Sequence, residues 1–323
     1  MASNLLPSRE MSSLVPATCI SLTPRQRLDR WFPALALPTA VLLWGTALPP
    51  WGIAWLLTAA FYAGFKWLAL ASLGPPALNP RLENRERRSS LQFLLLWPGM
   101  DAAAFLANRV VVQPTAREVA FALLNVLAGL ALIFGGVRLM YPYSEWLAGW
   151  VGLVGLALFL LFGLAHLLSV AWRLLGVDAQ PIMNRPHRAN SLADFWGSRW
   201  NLAFHDIGRL FVFHPLRRWF GATLAVVAVF LFSGIVHDLV MSVPVRRHVG
   251  WPTLYFLLQC AGVLLERSRF GKRLALGRGW RGRVYAATVV LLPLGWLFHE
   301  AFVLEVILPT LRWIIGTPLS GDY

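Results

Sequence analysis

Charged residues are scarce in this 323-residue chain, and lysine is almost absent. Asp, Glu, Lys and Arg make up 14% of the residues, whereas a soluble domain carries about 25%. Only two lysines occur, Lys66 and Lys272, while 57% of the residues are hydrophobic. This composition excludes an ordinary soluble protein. Several apolar runs approach the ~20 residues that cross a bilayer, which indicates a polytopic membrane protein.

Cysteine and metal-binding patterns are equally sparse. The two cysteines, Cys19 and Cys260, lie far apart without a CxxC spacing, which excludes a disulfide framework and a thiolate zinc site. None of the seven histidines belongs to an HxxxH or HxxHH box, and this excludes a membrane di-iron desaturase or hydroxylase. We therefore expect neither a metal nor a bound cofactor.

The apolar runs predict an all-α fold, a polytopic transmembrane helical bundle of about seven to nine spans with additional re-entrant or interfacial helices. A weaker apolar segment, 91–107, contains Pro98, Gly99 and Asp101 at its centre. We expect this segment to be re-entrant or interfacial. The predicted spans are 31–48, 51–73, 118–140, 147–170, 219–242, 251–266 and 284–305, followed by a short interrupted segment at 306–316.

Arginine positions orient these spans, because positively charged loops stay on the cytoplasmic side. The arginine-rich loops 74–90 and 171–218 are therefore predicted inside. We divide the chain into an N-terminal cytoplasmic segment, 1–30, a single membrane domain, 31–316, and a tail, 317–323.

A net charge of +14 accompanies this pattern. In a membrane protein such a charge is explained by loops that face anionic lipid, so membrane lipid is an expected partner and nucleic acid is not. Short loops and the lack of organelle signals favour a multi-pass integral protein of a bacterial inner membrane.

An ionisable pair stands near the end of the apolar run that contains SGIVHDLV, 233–240. Such a pair is costly within a membrane. His237 lies about 9 Å inside the run, counted from Val243 at 1.5 Å per residue. Two interpretations stay open. The imidazole is either a neutral structural group bonded to a neighbouring helix, with Asp238 near the interface, or a desolvated general base.

The stretch SLADFWGSRWN, 191–201, is a second polar cluster. Ser191 and Asp194 fit a capping box, in which the serine accepts from the backbone and the acid reaches back. Asn201 ends the stretch without an evident capping role of its own.

The aromatic residues of this stretch share one helical face. Trp196 and Trp200, with Phe195, are arranged as in an interfacial helix that lies among lipid headgroups. Arg199 would then snorkel or contact phosphate. Taken alone, the stretch is best interpreted as an interfacial amphipathic helix.

Two further histidines carry weaker signals. His299 and Glu300 lie near the end of the last clear span, in LFHEAF, where a structural role is at least as consistent as a catalytic one. His299 is retained as a further candidate. His166 stands alone on an apolar helix and is expected to pack in the core.

Taken together, these stretches resemble the wax synthase branch of the membrane-bound O-acyltransferase (MBOAT) superfamily. The family pattern is Ser-Leu-x-Asp-Phe-Trp-Gly-x-Arg-Trp-(Asn/His), followed by Ser-Gly-x-x-His-(Glu/Asp). WPGMD (97–101) and LFHEAF (297–302) also look like family segments, and the resemblance covers roughly 91–310. The matching residues are Ser191, Leu192, Asp194, Phe195, Trp196, Gly197, Arg199, Trp200 and Asn201 in the first motif, and Ser233, Gly234, His237 and Asp238 in the second.

The resemblance implies an MBOAT-like helical bundle with its motif core at 191–238. It also implies transfer of a fatty acyl group from acyl-CoA to an alcohol, with His237 as the general base and Asn201 assisting. Acyl-CoA would be a co-substrate rather than a cofactor. The supporting residues would be Asp238, Asp194, Trp196, Arg199, Trp200 and Ser233.

Two cationic loops suit the phosphates of coenzyme A, since arginine forks bind phosphate well. Loop 171–218 has seven arginines and three aspartates, and loop 267–283 has seven Lys and Arg residues and no acid. Either loop is a candidate for the nucleotide end, and retention on the cytoplasmic side is an equal explanation for both.

Two alternatives remain at this stage. Intramembrane His, Asp and Glu also suit the proton relay of a transporter, although the paired broken helices of related halves are not evident. Within the acyltransferase superfamily, the hydroxyl acceptor could instead be a glycerolipid, a sterol or a polysaccharide.

Overall fold

The computed structural model describes residues 29–73, 89–107 and 110–316. Within these ranges every regular element is helical, as the composition predicts. The predictions for the N-terminal segment, Cys19, the 74–90 loop and the tail fall almost entirely outside the described residues.

The longer helices build a bundle in which short helices and turns occupy the connections. The longer helices are α1 (Phe32–Trp44), α2 (Pro50–Ala71), α3 (Ala116–Met140), α4 (Glu145–Leu174), α5 (202–220), α6 (222–241), α7 (Trp251–Arg267), α8 (Gly279–Leu291) and α9 (Glu300–Ile315).

Four helical runs of the described residues are long and apolar enough to cross a membrane. They are α2, α3, α4 and the run Leu202–Met241 that contains α5 and α6. A pair of helices bent by 65°, Gly279–Leu297 and Glu300–Ile315, would make a fifth span. These helices fit an integral membrane protein, and the count of seven to nine spans stays a prediction.

The run Leu202–Met241 is a hairpin that reverses at Gly221. A straight helix would separate Phe204 and His237 by about 50 Å at 1.5 Å per residue, yet their ring centroids lie 5.8 Å apart. Phe204 also stacks on Phe232 at 5.7 Å. Gly221 has φ 77° and ψ 171°, a conformation that essentially only glycine adopts. The reversal therefore sets α5 beside α6.

Three sequence predictions about where helices begin, break and continue are wrong. Residues 202–218 were expected in a loop, because Arg209 and Arg217 lower the mean hydropathy, but they are helical. The predicted span 284–305 breaks near Pro293 and again before Glu300. The helix then continues through 306–316, because a π-helical turn at Val303–Ile307 precedes Pro309 and accommodates its missing N–H.

The predicted interruption of 91–107 is present. Residues 89–96 are helical, 97–101 are not, and Ala102–Leu106 is helical again. Side chains of α2 bond the exposed carbonyls, as non-helical backbone requires in apolar surroundings. Lys66 Nζ donates to the Gly99 carbonyl at 2.6 Å, and the Tyr62 hydroxyl donates to the Trp97 carbonyl at 3.0 Å.

Replacing Gly221 with alanine should destabilise the protein, because its φ and ψ place a Cβ in a strongly disfavoured conformation. We expect a loss of about 1–3 kcal/mol, measured as a lower Tm of the purified protein in detergent. Gly135→Ala is the matched control, since a Cβ there meets nothing within 4 Å and the backbone φ is not positive. Equal Tm values for the two variants would contradict the reversal.

Candidate active site

One cavity brings the two sequence motifs together. It has a volume of about 190 Å³ and lies between the motif stretch, the α5–α6 hairpin and α7. His237 and Asn201, the two residues predicted to be catalytic, both line it. Three of the predicted supporting residues, Asp194, Arg199 and Asp238, are not among its lining residues. Trp196, Trp200 and Ser233 also line the cavity, together with Phe230, Phe256, Val263 and three arginines.

A backbone hydrogen bond fixes the tautomer of His237. Its Nδ1 lies 2.7 Å from the carbonyl oxygen of Ser233, one helical turn earlier. Because a carbonyl only accepts, Nδ1 carries the hydrogen and Nε2 keeps a free lone pair. The ring is held between Phe256, at 4.6 Å between centroids, and Phe204, at 5.8 Å. This arrangement suits a neutral imidazole that accepts a proton at Nε2.

Asn201 caps α5, contrary to the sequence interpretation. Its backbone is left-handed, with φ 41°, and its Oδ1 accepts from the Phe204 N–H at 3.3 Å. Apolar residues from Leu202 onward hid this helix start, although asparagine is among the preferred caps and tolerates positive φ. Since the cap uses Oδ1, the side-chain NH2 is the group that can donate into the cavity.

Asp238 faces away from the cavity and caps α7. Its Oδ1 accepts from the Gly250 N–H at 2.8 Å, and its Oδ2 accepts from the Thr253 N–H at 3.0 Å and from the Thr253 hydroxyl. A carboxylate at a helix N-terminus bonds otherwise unsatisfied N–H groups and interacts favourably with the helix dipole. Asp238 therefore holds α7, and with it Phe256, against His237.

Asp194 organises the motif stretch. The Ser191 hydroxyl accepts from the Asp194 N–H at 3.0 Å, as predicted, but the carboxylate reaches the Asn190 N–H rather than that of Ser191. It also accepts from the Ser198 hydroxyl and from Arg199 Nε, both at 2.6 Å. Burial alone would raise the pKa of Asp194, but these hydrogen bonds and the nearby guanidinium lower it.

The two tryptophans of the motif form the cavity wall rather than a headgroup-facing surface. Trp196 packs on Phe230 and Phe256, with centroids 6.1 and 5.6 Å away. Trp200 stacks on Phe195 at 5.5 Å. The aromatic face therefore packs inside the bundle, because α6 and α7 supply partners for Trp196 that the sequence does not reveal. The interfacial position of the stretch stays a prediction.

Ser233 and His299 have structural contacts. The Ser233 hydroxyl donates to the Val229 carbonyl at 2.9 Å, so this residue serves His237 through its own carbonyl. His299 is buried, and its Nδ1 accepts from the Phe302 N–H at 3.1 Å as a helix cap. Its Nε2 lies 3.2 Å from the Ser242 hydroxyl. His299 is not among the described residues that line the cavity.

Two residues that support the site were missed by the sequence analysis. Glu266 accepts from the N–H groups of Leu192 and Ala193, at 2.7 and 3.3 Å, and so caps the motif stretch. Gln259 accepts from Trp196 Nε1 at 3.3 Å. Gln259 and Glu266 are seven residues apart in an apolar segment, so they share one helical face. This seven-residue spacing of polar side chains is the sequence signal that could have identified both residues.

His166 is not among the residues that line this cavity. His166 is buried against Phe121, with ring centroids 5.7 Å apart, as a core histidine would be. Across residues 29–73, 89–107 and 110–316, no three His, Cys, Asp or Glu side chains are grouped as metal ligands.

The cavity is built from a region with known relatives. Residues 179–258 match the Membrane bound O-acyl transferase family. The family resemblance predicted from the two motifs is thereby confirmed over this region, which includes both. Residues of both motifs line this cavity, and Asp194 and Asp238 form hydrogen bonds that hold the motif stretch and α7 beside it.

Two similar proteins carry names that agree with this family match. The chain is 34% identical to "Probable long-chain-alcohol O-fatty-acyltransferase 9" of Arabidopsis thaliana over 192 residues, 53% of this chain and 55% of that protein. It is 33% identical to "Long-chain-alcohol O-fatty-acyltransferase" of Simmondsia chinensis over 142 residues, 40% of each protein. The matches to these relatives span about half of their length or less.

Replacing Asp238 with asparagine should destabilise the protein, because the new NH2 group would face the N–H donors of Gly250 or Thr253. We expect a cost of about 1–3 kcal/mol, the penalty of an unsatisfied buried donor. The measurement is Tm in detergent. Asp178→Asn is the control, because Asp178 accepts one hydrogen bond from Gln180 at 2.8 Å, which asparagine can keep. An Asp238→Asn variant as stable as this control would contradict the capping role.

Proposed function

We propose that this protein transfers a fatty acyl group from acyl-CoA to the hydroxyl group of a long-chain alcohol and so forms an ester. The observation that carries the proposal is the cavity shared by an imidazole with a free Nε2 and by the amide of Asn201. The relatives' names, which specify long-chain alcohols and fatty acyl groups, support the choice of substrates.

The proposed reaction is a direct transfer. Nε2 of His237 removes the hydroxyl proton while the alcohol oxygen bonds to the thioester carbonyl carbon, an assistance worth about 10²–10⁴-fold in rate. The NH2 group of Asn201 donates a hydrogen bond to the developing oxyanion. The tetrahedral intermediate then collapses, the C–S bond breaks, and the imidazolium returns its proton to the leaving thiolate. The products are an ester and free coenzyme A.

The aromatic wall supports this chemistry. Trp196, Phe230 and Phe256 surround the reacting groups and limit access of water, which would otherwise hydrolyse the thioester. In this scheme Asp238 and Asp194 are positioning residues, since their carboxylates are engaged by backbone and side-chain donors outside the cavity.

The cationic end of the same cavity suits the phosphates of acyl-CoA. Arg209 and Arg217 line it from α5, and Arg267 lines it from the end of α7. Counted from Asn201 at 1.5 Å per residue, the two α5 arginines lie about 12 and 24 Å along the helix. Among the described residues, Arg209 Nε is buried without a hydrogen-bond partner. Each of the two predicted cationic loops thus contributes to one cavity.

The proposal also includes a membrane location and a topology. We place the chain in a bacterial inner membrane, with seven to nine spans, and with the arginine-rich loops at the cytoplasmic face where acyl-CoA is available. The net charge of +14 and the positive-inside rule support that orientation.

The decisive prediction concerns His237. Purified protein given labelled acyl-CoA and a panel of alcohols should release coenzyme A and yield ester, and His237→Ala should reduce the rate at least about 10²-fold because the general base is lost. His214→Ala is the matched control, since His214 is exposed and lies outside the cavity lining. Wild-type protein that releases no coenzyme A with any acceptor would contradict acyl transfer and favour a transporter.

Asn201 can be tested without removing its cap. Asn201→Asp keeps an oxygen for the Phe204 N–H but replaces the donating NH2, so kcat should fall about 10²–10³-fold, as for other lost oxyanion donors. The Tm should stay close to that of the wild type. Unchanged kcat in this variant would show that the amide does not serve the oxyanion.

A further inference from the structure

A second cavity lies beside the motif stretch and shares no lining residue with the first. It has a volume of about 670 Å³. Its lining combines cations with amides and, among the described residues, includes no carboxylate. We call it the basic basin, and its lining residues are Asn184, Arg185, His187, Arg188, Asn190, Arg199 and Arg283.

Two guanidinium groups of the basin are each held by a hydrogen bond that Nε donates. Arg199 Nε donates to Asp194 at 2.6 Å, and Arg283 Nε donates to Asn190 Oδ1 at 2.9 Å. Asn190 in turn donates its N–H to Asp194 at 3.0 Å. One network therefore orients both side chains, and the terminal nitrogens of each fork remain for a ligand. Such pre-organised forks suit bidentate recognition of phosphate.

Two further arginines of the basin lie on a loop that is anchored by hydrogen bonds. Arg185 and Arg188 form no ion pair with any described residue. Their loop is anchored by Asn184, whose N–H donates to the Arg199 carbonyl at 2.8 Å and whose Nδ2 donates to the Ser198 carbonyl at 3.2 Å. Four guanidinium groups thus face one volume, and Asp194 neutralises only one of them.

We propose that the basic basin is a binding site for a phosphate-bearing ligand, distinct from the acyl-transfer cavity. The excess of cations over acids favours a multiply charged or strongly acidic group, and the open volume admits one larger than a free ion. Two sources have this chemistry: the headgroup of an anionic phospholipid and the nucleotide end of coenzyme A. The second source rests on the proposed function, and it would replace Arg209, Arg217 and Arg267 of the first cavity as the phosphate site.

The basin is coupled to the first cavity through the motif stretch. Arg199 faces the basin, whereas its neighbours Trp200 and Asn201 line the acyl-transfer cavity. The Asn201 N–H also bonds Met183 Sδ at 3.3 Å, just before the basin loop begins. A ligand in the basin therefore contacts the same short segment that positions the Asn201 amide.

The test uses the full-length protein in detergent and the triple variant Arg185→Gln, Arg188→Gln, Arg283→Gln, which spares Arg199. Binding of dioctanoyl phosphatidylglycerol and of adenosine 3′,5′-bisphosphate is measured by calorimetry, with dioctanoyl phosphatidylcholine as the zwitterionic comparison. The charge-matched control is Arg117→Gln, Arg246→Gln, Arg247→Gln, because these arginines are exposed, line neither cavity and lie outside both cationic loops.

We expect the basin variant to lose at least about tenfold in affinity for one of the two anionic probes, as the loss of charge-assisted hydrogen bonds predicts. The control variant should bind like the wild type. Loss confined to the lipid identifies a headgroup site, and loss confined to the bisphosphate identifies a nucleotide site.

The proposal is overturned if the wild type binds neither probe, or if the basin variant and the control bind both equally. These readouts do not depend on ester formation. A protein that binds a probe through the basin yet releases no coenzyme A would refute the proposed acyl transfer and leave the basin intact.

Discussion

The reversal of the chain at Gly221 is the constraint on which the rest of this architecture depends. It converts 40 residues from Leu202 to Met241 into two adjacent arms, so that Asn201, at the start of one arm, meets the cavity that His237 enters from the end of the other. Each arm is about 30 Å long, close to the thickness of the hydrocarbon core. The relative position of His237 and Asn201 is thus set by one backbone conformation far from both residues.

Two carboxylates on the far side of the site keep this arrangement rigid. Asp238 binds the beginning of α7, and Glu266, near its end, binds the N–H groups at the start of the motif stretch. Burying a carboxylate is costly unless several donors satisfy it, and both groups meet that condition. Helix α7 is therefore attached at both ends to the segments that carry His237 and Asn201, and Phe256 and Gln259 contact the site between these attachments.

The sequence predicted much of this, but not how the parts are joined. Helical class and the interruption at 97–101 follow from the apolar runs and from Pro98 and Gly99, whereas the pairing of His237 with Asn201 follows from the family resemblance. The α5–α6 hairpin was not predicted. Helix α5 carries Arg209 and Arg217 on the face that lines a cavity, and these two charges indicated a loop. The Asn201 cap is a local contact with the Phe204 N–H, which the apolar residues after Asn201 concealed. The aromatic partners of Trp196 lie in distant segments, which composition and spacing do not encode. The family resemblance implied a supporting role for Asp238, and the carboxylate supports the site indirectly by capping another helix.

The buried ammonium group of Lys66 has a consequence for assembly. It lies 3.4 Å from the centre of the Phe93 ring and bonds the Gly99 carbonyl, so the non-helical stretch 97–101 depends on α2 for a partner that lipid does not offer. During synthesis α2 emerges first. The later segment can leave an aqueous surrounding at low cost only when this earlier helix is already in place, which imposes an order of insertion on the N-terminal half of the bundle.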